Sequence, residues 1–339
     1  MRILVIRRDN IGDLVCTTPL FAALRARYPQ AHLAALVNSY NAAVLEGNPH
    51  LDAVHSYTKL KHRTAGESRI GILASRLAML TRLRREPFDY VVLAKDAFDR
   101  QGLTLARQLR RRNIVGLANP GDKHISVPVR ALPYSDLHEV QVLQLLATAM
   151  DAPQADGPLR IYPTPALVDS WRQRLSLDTR RRWIAFHVSA REAERRWPAE
   201  LCAELIRRVA NASTGVLLLW SPGAADNPAH PGDDEKAADI MARVGRNPGL
   251  VPATTVTLAD LIAVLALCRA FIGADGGALH IAAGLGLPIV GLYEERKVTR
   301  WRPWRVQYEL VVTPTGRVED IPVDEVAQAA ARLAAYWMR

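Results

Sequence analysis

Asp275-Gly276-Gly277-Ala278 stands between an apolar run at 271–273 and a small-residue stretch that contains His280. A strand, a bare turn and a helix are implied. Such a turn leaves main-chain N–H groups at the positive end of a helix dipole, which suits the oxygens of a phosphate. Ser189, Arg191, Arg195 and Arg196 fit the same ligand, in a loop ended by Pro198 at the start of a helix. Guanidinium forks match phosphate oxygens, while Glu192 and Glu194 allow the alternative of a solvated charge cluster. Together these loops suit the diphosphate end of a nucleotide-sugar pocket. Asp9-Asn10-Ile11-Gly12-Asp13 follows the first apolar run. Its Asp13 is either a helix cap or a carboxylate that takes a proton from a substrate hydroxyl. Trp220 with Asp226 in the loop 221–227, and Thr255 in the loop 252–255, are the candidates for nucleoside contact.

Parallel strands are needed to bring such loops to one edge, and the chain repeats a strand–helix pattern. Strands are expected at 2–7, 32–37, 53–57, 88–94, 113–117 and 125–129, with a helix from the Asp13 turn to about Tyr28. A second series places strands at 183–188, 216–220, 270–273 and 289–293, and helices at 198–211, 234–243, 257–267, 278–286 and 322–337. Four prolines within 151–166 mark a linker. The expected fold is α/β, with two Rossmann-like domains facing a central cleft, where ligands bind beyond the strand ends. Residues 1–155 form the first domain and 166–320 the second; a C-terminal helix in 321–339 packs back towards the first. Apolar residues at Ile70, Leu73, Leu77, Leu80 and Leu83 predict a helix over 67–86, with Arg69, Arg76, Arg82, Arg84 and Arg85 on its other face.

A length of 339 residues, 49% hydrophobic and 23% charged, supports two folded cores. Cys16, Cys202 and Cys268 lack metal-ligand spacing and fit a reducing compartment. The apolar start is too short for a signal peptide, and Asp260 and Arg269 interrupt the longest apolar stretch, so a cytoplasmic protein is expected. The net charge of +10 is concentrated in residues 1–150, with 21 basic against 12 acidic side chains; the remainder holds 23 against 22. A basic face serves nucleic acid, an anionic membrane or an acidic substrate. Only 6% of residues are aromatic and no nucleic-acid motif is present, which disfavours the first. A tandem dehydrogenase is disfavoured because no Gly-x-Gly-x-x-Gly follows the first strand. There is no paired-aspartate metal motif, and no cofactor or metal is expected.

Taken together, the loops resemble those of the lipopolysaccharide heptosyltransferases of glycosyltransferase family 9, which share the GT-B fold. Gly12-Asp13 with Thr17-Thr18-Pro19 is similar to the family's amino-terminal signature. Ser189…Arg195-Arg196-Trp197-Pro198 is similar to its phosphate loop, and Asp275-Gly-Gly-Ala-Leu-His280 to its donor-sugar turn. The resemblance implies inverting transfer of heptose from ADP-heptose to lipopolysaccharide core. It implies Asp13 as base, Arg195 with the backbone of Gly276, Gly277 and Ala278 on the leaving diphosphate, and Asp275 on the donor sugar. The basic first half would face an anionic glycolipid acceptor at the cytoplasmic face of the inner membrane, with Asn10, Arg63 and Arg69 as contacts and the helix 67–86 as the surface. The family usually has lysine where Arg195 stands, and the loop 224–234 looks extended. A different nucleotide-sugar donor or glycan acceptor, and a non-catalytic nucleotide-sugar-binding protein, are the alternatives.

Overall fold

A computed structural model of the chain describes residues 1–58, 68–111, 113–119, 121–132, 134–153, 155–226 and 231–338. It divides into two units, Met1–Tyr162 and Pro163–Arg339. The first contains β1 (Arg2–Ile6), α1 (Ile11–Cys16), α2 (Thr18–Arg27), β2 (His32–Asn38), β3 (Ala53–Tyr57), α3 (Arg69–Arg85), β4 (Tyr90–Leu93), α4 (Arg100–Gln108), β5 (Ile114–Ala118), β6 (Val127–Arg130) and α5 (Glu139–Thr148). Its strands form one parallel sheet in the order β3-β2-β1-β4-β5-β6.

The second unit contains α6 (Pro165–Leu175), β7 (Arg182–His187), α7 (Ala199–Val209), β8 (Thr214–Leu219), α8 (Asp234–Val244), β9 (Leu250–Pro252), α9 (Leu258–Leu265), β10 (Ala270–Ala274), α10 (Gly277–Gly284), β11 (Ile289–Glu294), α11 (Glu295–Trp301), β12 (Tyr308–Thr313) and α12 (Val323–Trp337). Its parallel order is β12-β11-β10-β7-β8-β9. Each sheet grows outward from its first strand, then crosses to the other side of it. The crossing points lie between β1 and β4 and between β7 and β10. Loops leaving the carboxyl ends of these pairs diverge, which is where doubly wound sheets bind ligands.

The central strands are apolar on both faces because helices cover both. Ile3 to Ile6 and Leu217 to Leu219 are buried throughout. Where β7 pairs with β10, a Cβ on Gly273 would lie 3.0 Å from the His187 carbonyl and 2.9 Å from the Phe271 ring, so a side chain there would crowd its neighbours.

Three differences from the sequence expectations have local causes. The expected single helix to Tyr28 is two, α1 and α2, which meet at Thr17; Pro19 opens the second, where a missing N–H is tolerated. The proline-rich segment is no free tether: Ala155, Leu159 and Ile161 are buried, and the Arg160 N–H donates to Thr18 Oγ1 at 3.1 Å. In α12, Val326, Ala329, Ala330, Leu333 and Trp337 lie in the second unit's own core. The proposed stripe of α3 holds only in its second half. Leu80 and Leu83 are buried together with Ile72, but Ile70, Leu73 and Leu77 are 80%, 54% and 61% exposed.

Candidate active site

The crossing point of the first unit is built around a buried cation. Arg7, just past β1, is 1% exposed. Its Nη1 donates to the Ala94 carbonyl at 2.6 Å, and its Nη2 to Asp13 Oδ1 at 2.7 Å and Glu139 Oε1 at 2.8 Å. Asp9 places a carboxylate oxygen 3.5 Å from Nε, and Lys95 lies 3.7 Å from Asp9. Asp13 is the third residue of α1, and its Oδ2 accepts the Asn10 N–H at 3.0 Å. That bond is the carboxylate half of a capping box, so helix cap and candidate base are the same group. Burial pushes the Asp13 carboxyl up, but Arg7 and the Asn10 N–H outweigh it and hold it below its ordinary range. At neutral pH it accepts protons and has none to give.

The loop itself is braced from β2. Asn38 Nδ2 donates to the Arg8 and Asp9 carbonyls at 3.3 and 3.2 Å, and Asn41 Nδ2 to those of Asp9 and Asn10 at 3.1 and 3.3 Å. Asn10 is exposed beside Asp13, and Arg69 is the first residue of α3. Arg63 lies outside the described residues.

In the second unit the two argininyl and glycyl loops meet at the crossing point. Arg195 reaches Asp275 Oδ2 at 3.4 Å, Glu294 Oε1 at 2.9 Å and Glu192 Oε2 at 2.7 Å. Asp275 also lies 3.6 Å from His280 Nε2, and the His280 ring packs edge-on against Trp301 with centroids 5.7 Å apart. Burial pushes Glu294 up, yet hydrogen bonds from Arg296 and Arg195 hold it below its ordinary range. Gly276 has extended backbone, φ 173°, and a Cβ there would meet only the Ala274 carbonyl at 3.9 Å. Neither conformation nor packing calls for glycine at this position; its effect is open main chain at the head of α10, where Gly277 and Ala278 present unpaired N–H groups.

Other cations hold the loop after β7 in shape. Lys236 Nζ donates to the Val188 carbonyl at 2.8 Å and Arg196 Nε to that of Ala190 at 2.9 Å. Both carbonyls are thereby drawn inward, towards α8 and the loop's own turn. Arg196 also lies 3.6 Å from the buried carboxylate of Asp233. Burial pushes the Lys236 ammonium down, and it takes the His187 imidazole down to about 4. Ser189 Oγ accepts the Ser221 N–H at 2.8 Å, so this hydroxyl ties two loops together. Arg191 is exposed.

The nucleoside candidates are not gathered in the same way. Trp220 is a core residue whose indole N–H donates to Asp234 Oδ1 at 2.7 Å, Thr255 is buried, and Asp226 sits in an exposed turn. The sequence reading missed Arg7, Glu139, Lys236 and Glu294. Two of these carried a signal: Arg7 and Glu294 are charges that end apolar strand runs, as Asp275 does. Among the described residues no group of three or more His, Cys, Asp or Glu side chains is placed to hold a metal ion. No helix among them is long and apolar enough to cross a membrane.

Two doubly wound sheets, each with charged loops at its crossing point, are the architecture of GT-B glycosyltransferases. Residues 76–324 match the model of glycosyltransferase family 9 (heptosyltransferase), and the chain belongs to that family. It is 27% identical over 314 residues to lipopolysaccharide heptosyltransferase 2 of Escherichia coli (strain K12), covering 86% of this chain and 82% of that one. A family 9 glycosyl transferase structure from Veillonella parvula DSM 2008 superposes with a TM-score of 0.84 at 18% identity, over 98% and 97% of the two chains. The structure of E. coli heptosyltransferase WaaC with ADP gives 0.79 at 16% identity, over 98% of this chain and 100% of that one. At these identities the superpositions speak to the fold, and the family match to the activity: a heptosyltransferase-like glycosyltransferase.

Proposed function

We propose that this glycosyltransferase moves heptose from ADP-heptose to a hydroxyl of lipopolysaccharide core, with inversion at the anomeric carbon. One observation carries the reading: the open main chain at Gly276 and Gly277 heads α10 directly after Asp275, which pairs with Arg195. The acceptor oxygen bonds to the anomeric carbon as the carbon–diphosphate bond breaks. The hydroxyl proton goes to Asp13, and the electron pair of the broken bond leaves on the diphosphate. Arg195 and the N–H groups of Gly276, Gly277 and Ala278 receive that charge, and preorganised donors do so without reorganisation. Asp275 takes hydroxyls of the donor sugar. The choice of ADP draws support from the heptosyltransferase structure that contains it.

The acceptor's place is supported by α3. Its exposed Ile70, Leu73 and Leu77 precede Arg82 and Arg85 on a helix with Arg84 in its last turn. Leu77, Arg82 and Arg85 line one groove, in which the two arginines outnumber the carboxylate of Glu86. Apolar and cationic side chains in that arrangement suit an anionic glycolipid at a membrane surface.

Arg195, where the resemblance expects lysine, favours a second reading with another nucleotide-sugar donor. Thermal unfolding with ADP-heptose, UDP-sugars and GDP-sugars separates the two. At a hundredfold excess over Kd the true donor stabilises the native state by about 2.7 kcal/mol. Mass spectrometry with a deacylated core acceptor then identifies the product. Asp13→Asn is expected to lower turnover by roughly 10²–10⁴-fold with donor affinity retained. Full turnover in that variant removes Asp13 as base, and product from a UDP- or GDP-sugar alone overturns the donor.

A further inference from the structure

We propose that Arg7, gripped by Glu139 and the Ala94 carbonyl, is a positioning residue that fixes the direction and the charge of the Asp13 carboxylate. The inference rests on Asp13 being the base. Three separate pieces of chain converge on this guanidinium from the end of β1: the residue after β4, the third residue of α1 and the first residue of α5. Such a buried cation is retained only where geometry and partners compensate its lost hydration.

Glu139 has its own reason to be there. It is the first residue of α5, where the helix dipole favours a carboxylate. His138 caps the same turn, its Nδ1 accepting the Val140 N–H at 3.1 Å. The turn that carries Glu139 is therefore formed without Arg7, and the Glu139 carboxylate in turn anchors Arg7.

The consequence for Asp13 is directional. Arg7 holds Oδ1 and the Asn10 N–H holds Oδ2, so the carboxylate plane cannot turn. Each oxygen keeps lone-pair capacity for an incoming hydroxyl proton. The charged groups around it are Arg7, Asp9 and Glu139, with Lys95 beyond Asp9. One guanidinium nitrogen, Nη2, is shared by two carboxylates, so its charge is divided between them. Asp13 stays ionised without being fully neutralised.

Arg7→Gln alone would take from the buried Glu139 the guanidinium it pairs with, and is expected to fold poorly. The decisive variant is Arg7→Gln with Glu139→Gln, which removes both charges. It is expected to fold, to retain the donor KM, and to lose roughly tenfold in kcat. Its kcat–pH profile gains an acidic limb about 1–3 pH units above that of the wild type, because burial of Asp13 is no longer offset by a cation. Arg7→Lys keeps the charge and loses the fork, and recovers the wild-type limb with part of the kcat. Carboxyl ¹³C titration of Asp13, assigned with Asp13→Asn, reports the same shift without turnover. A double variant with wild-type kcat and an unmoved limb overturns the proposal. If Asp13→Asn stays active, the base assignment is what fails. The carbon titration then judges Arg7 on its own: a moved curve upholds its grip on Asp13, and an unmoved one removes it.

Discussion

Arg195 shows how one side chain can serve both stability and a ligand. Glu294 is 1% exposed and Asp275 8%, and Arg195 is a cation shared between them. Arg195→Ala takes a cation from both carboxylates while Arg296 still bonds Glu294, and is expected to cost about 1–3 kcal/mol, discounted because the arginine is partly exposed. Arg195→Lys keeps a point charge but loses the planar fork, so it should recover most of the stability and less of the donor affinity. Urea midpoints with and without donor nucleotide measure the two effects separately. Equal stability in all three proteins would show that Arg195 holds nothing in the free enzyme. Part of this centre was legible from sequence, because Arg195 and Asp275 sit in loops that glycine, proline and charge mark out. The pairing of Arg195 with Glu294 was not, since it spans 99 residues, and that of Arg7 with Glu139 spans 132. Pairs that distant leave no period for a sequence to display.

At the scale of elements, α3 is the place where pattern and packing part. A stripe of leucines at helical spacing predicted its existence and its length, and α3 runs Arg69–Arg85 as expected. The stripe did not predict burial, because burial depends on what lies opposite, and only the second half of the helix meets the core with Leu80 and Leu83. The two halves should therefore respond oppositely. Leu83→Ala, at a fully buried site, is expected to cost about 2–5 kcal/mol. Leu73→Gln and Leu77→Gln should each change stability by no more than about 0.5 kcal/mol. The exposed pair should instead weaken sedimentation with anionic lipid vesicles, which removes apolar contact while leaving Arg82 and Arg85 in place. Wild-type sedimentation by both variants would take α3 out of the membrane contact. Elements whose pattern was short went unseen: β9 has three residues, and β12 has an exposed edge face that interrupts its apolar run. α6 was hidden for another reason. Pro165 read as part of a linker, whereas at the start of a helix it is a favourable first residue.

The whole chain is one architectural plan used twice. Numbered from its own first strand, each sheet has the order 3-2-1-4-5-6, and each places its charged loops at its own crossing point. Repetition of strand and helix made that plan legible, since a parallel sheet with covered faces is the arrangement such a pattern allows. The units differ in chemistry: the first carries a carboxylate held by a buried arginine, and the second carries open N–H groups beside arginines. The second also has its own core, which includes α12, and its phosphate candidates are all its own residues. A fragment beginning at Pro163 is thus expected to unfold cooperatively and to be stabilised by ADP as the full chain is, while catalysing nothing. Calorimetry of the fragment with and without ADP measures this, and the expected gain at a hundredfold excess over Kd is again about 2.7 kcal/mol. A folded fragment indifferent to ADP, beside a full chain that responds, would mean that the nucleotide needs groups from residues 1–162 and that the diphosphate cradle at Gly276 is incomplete.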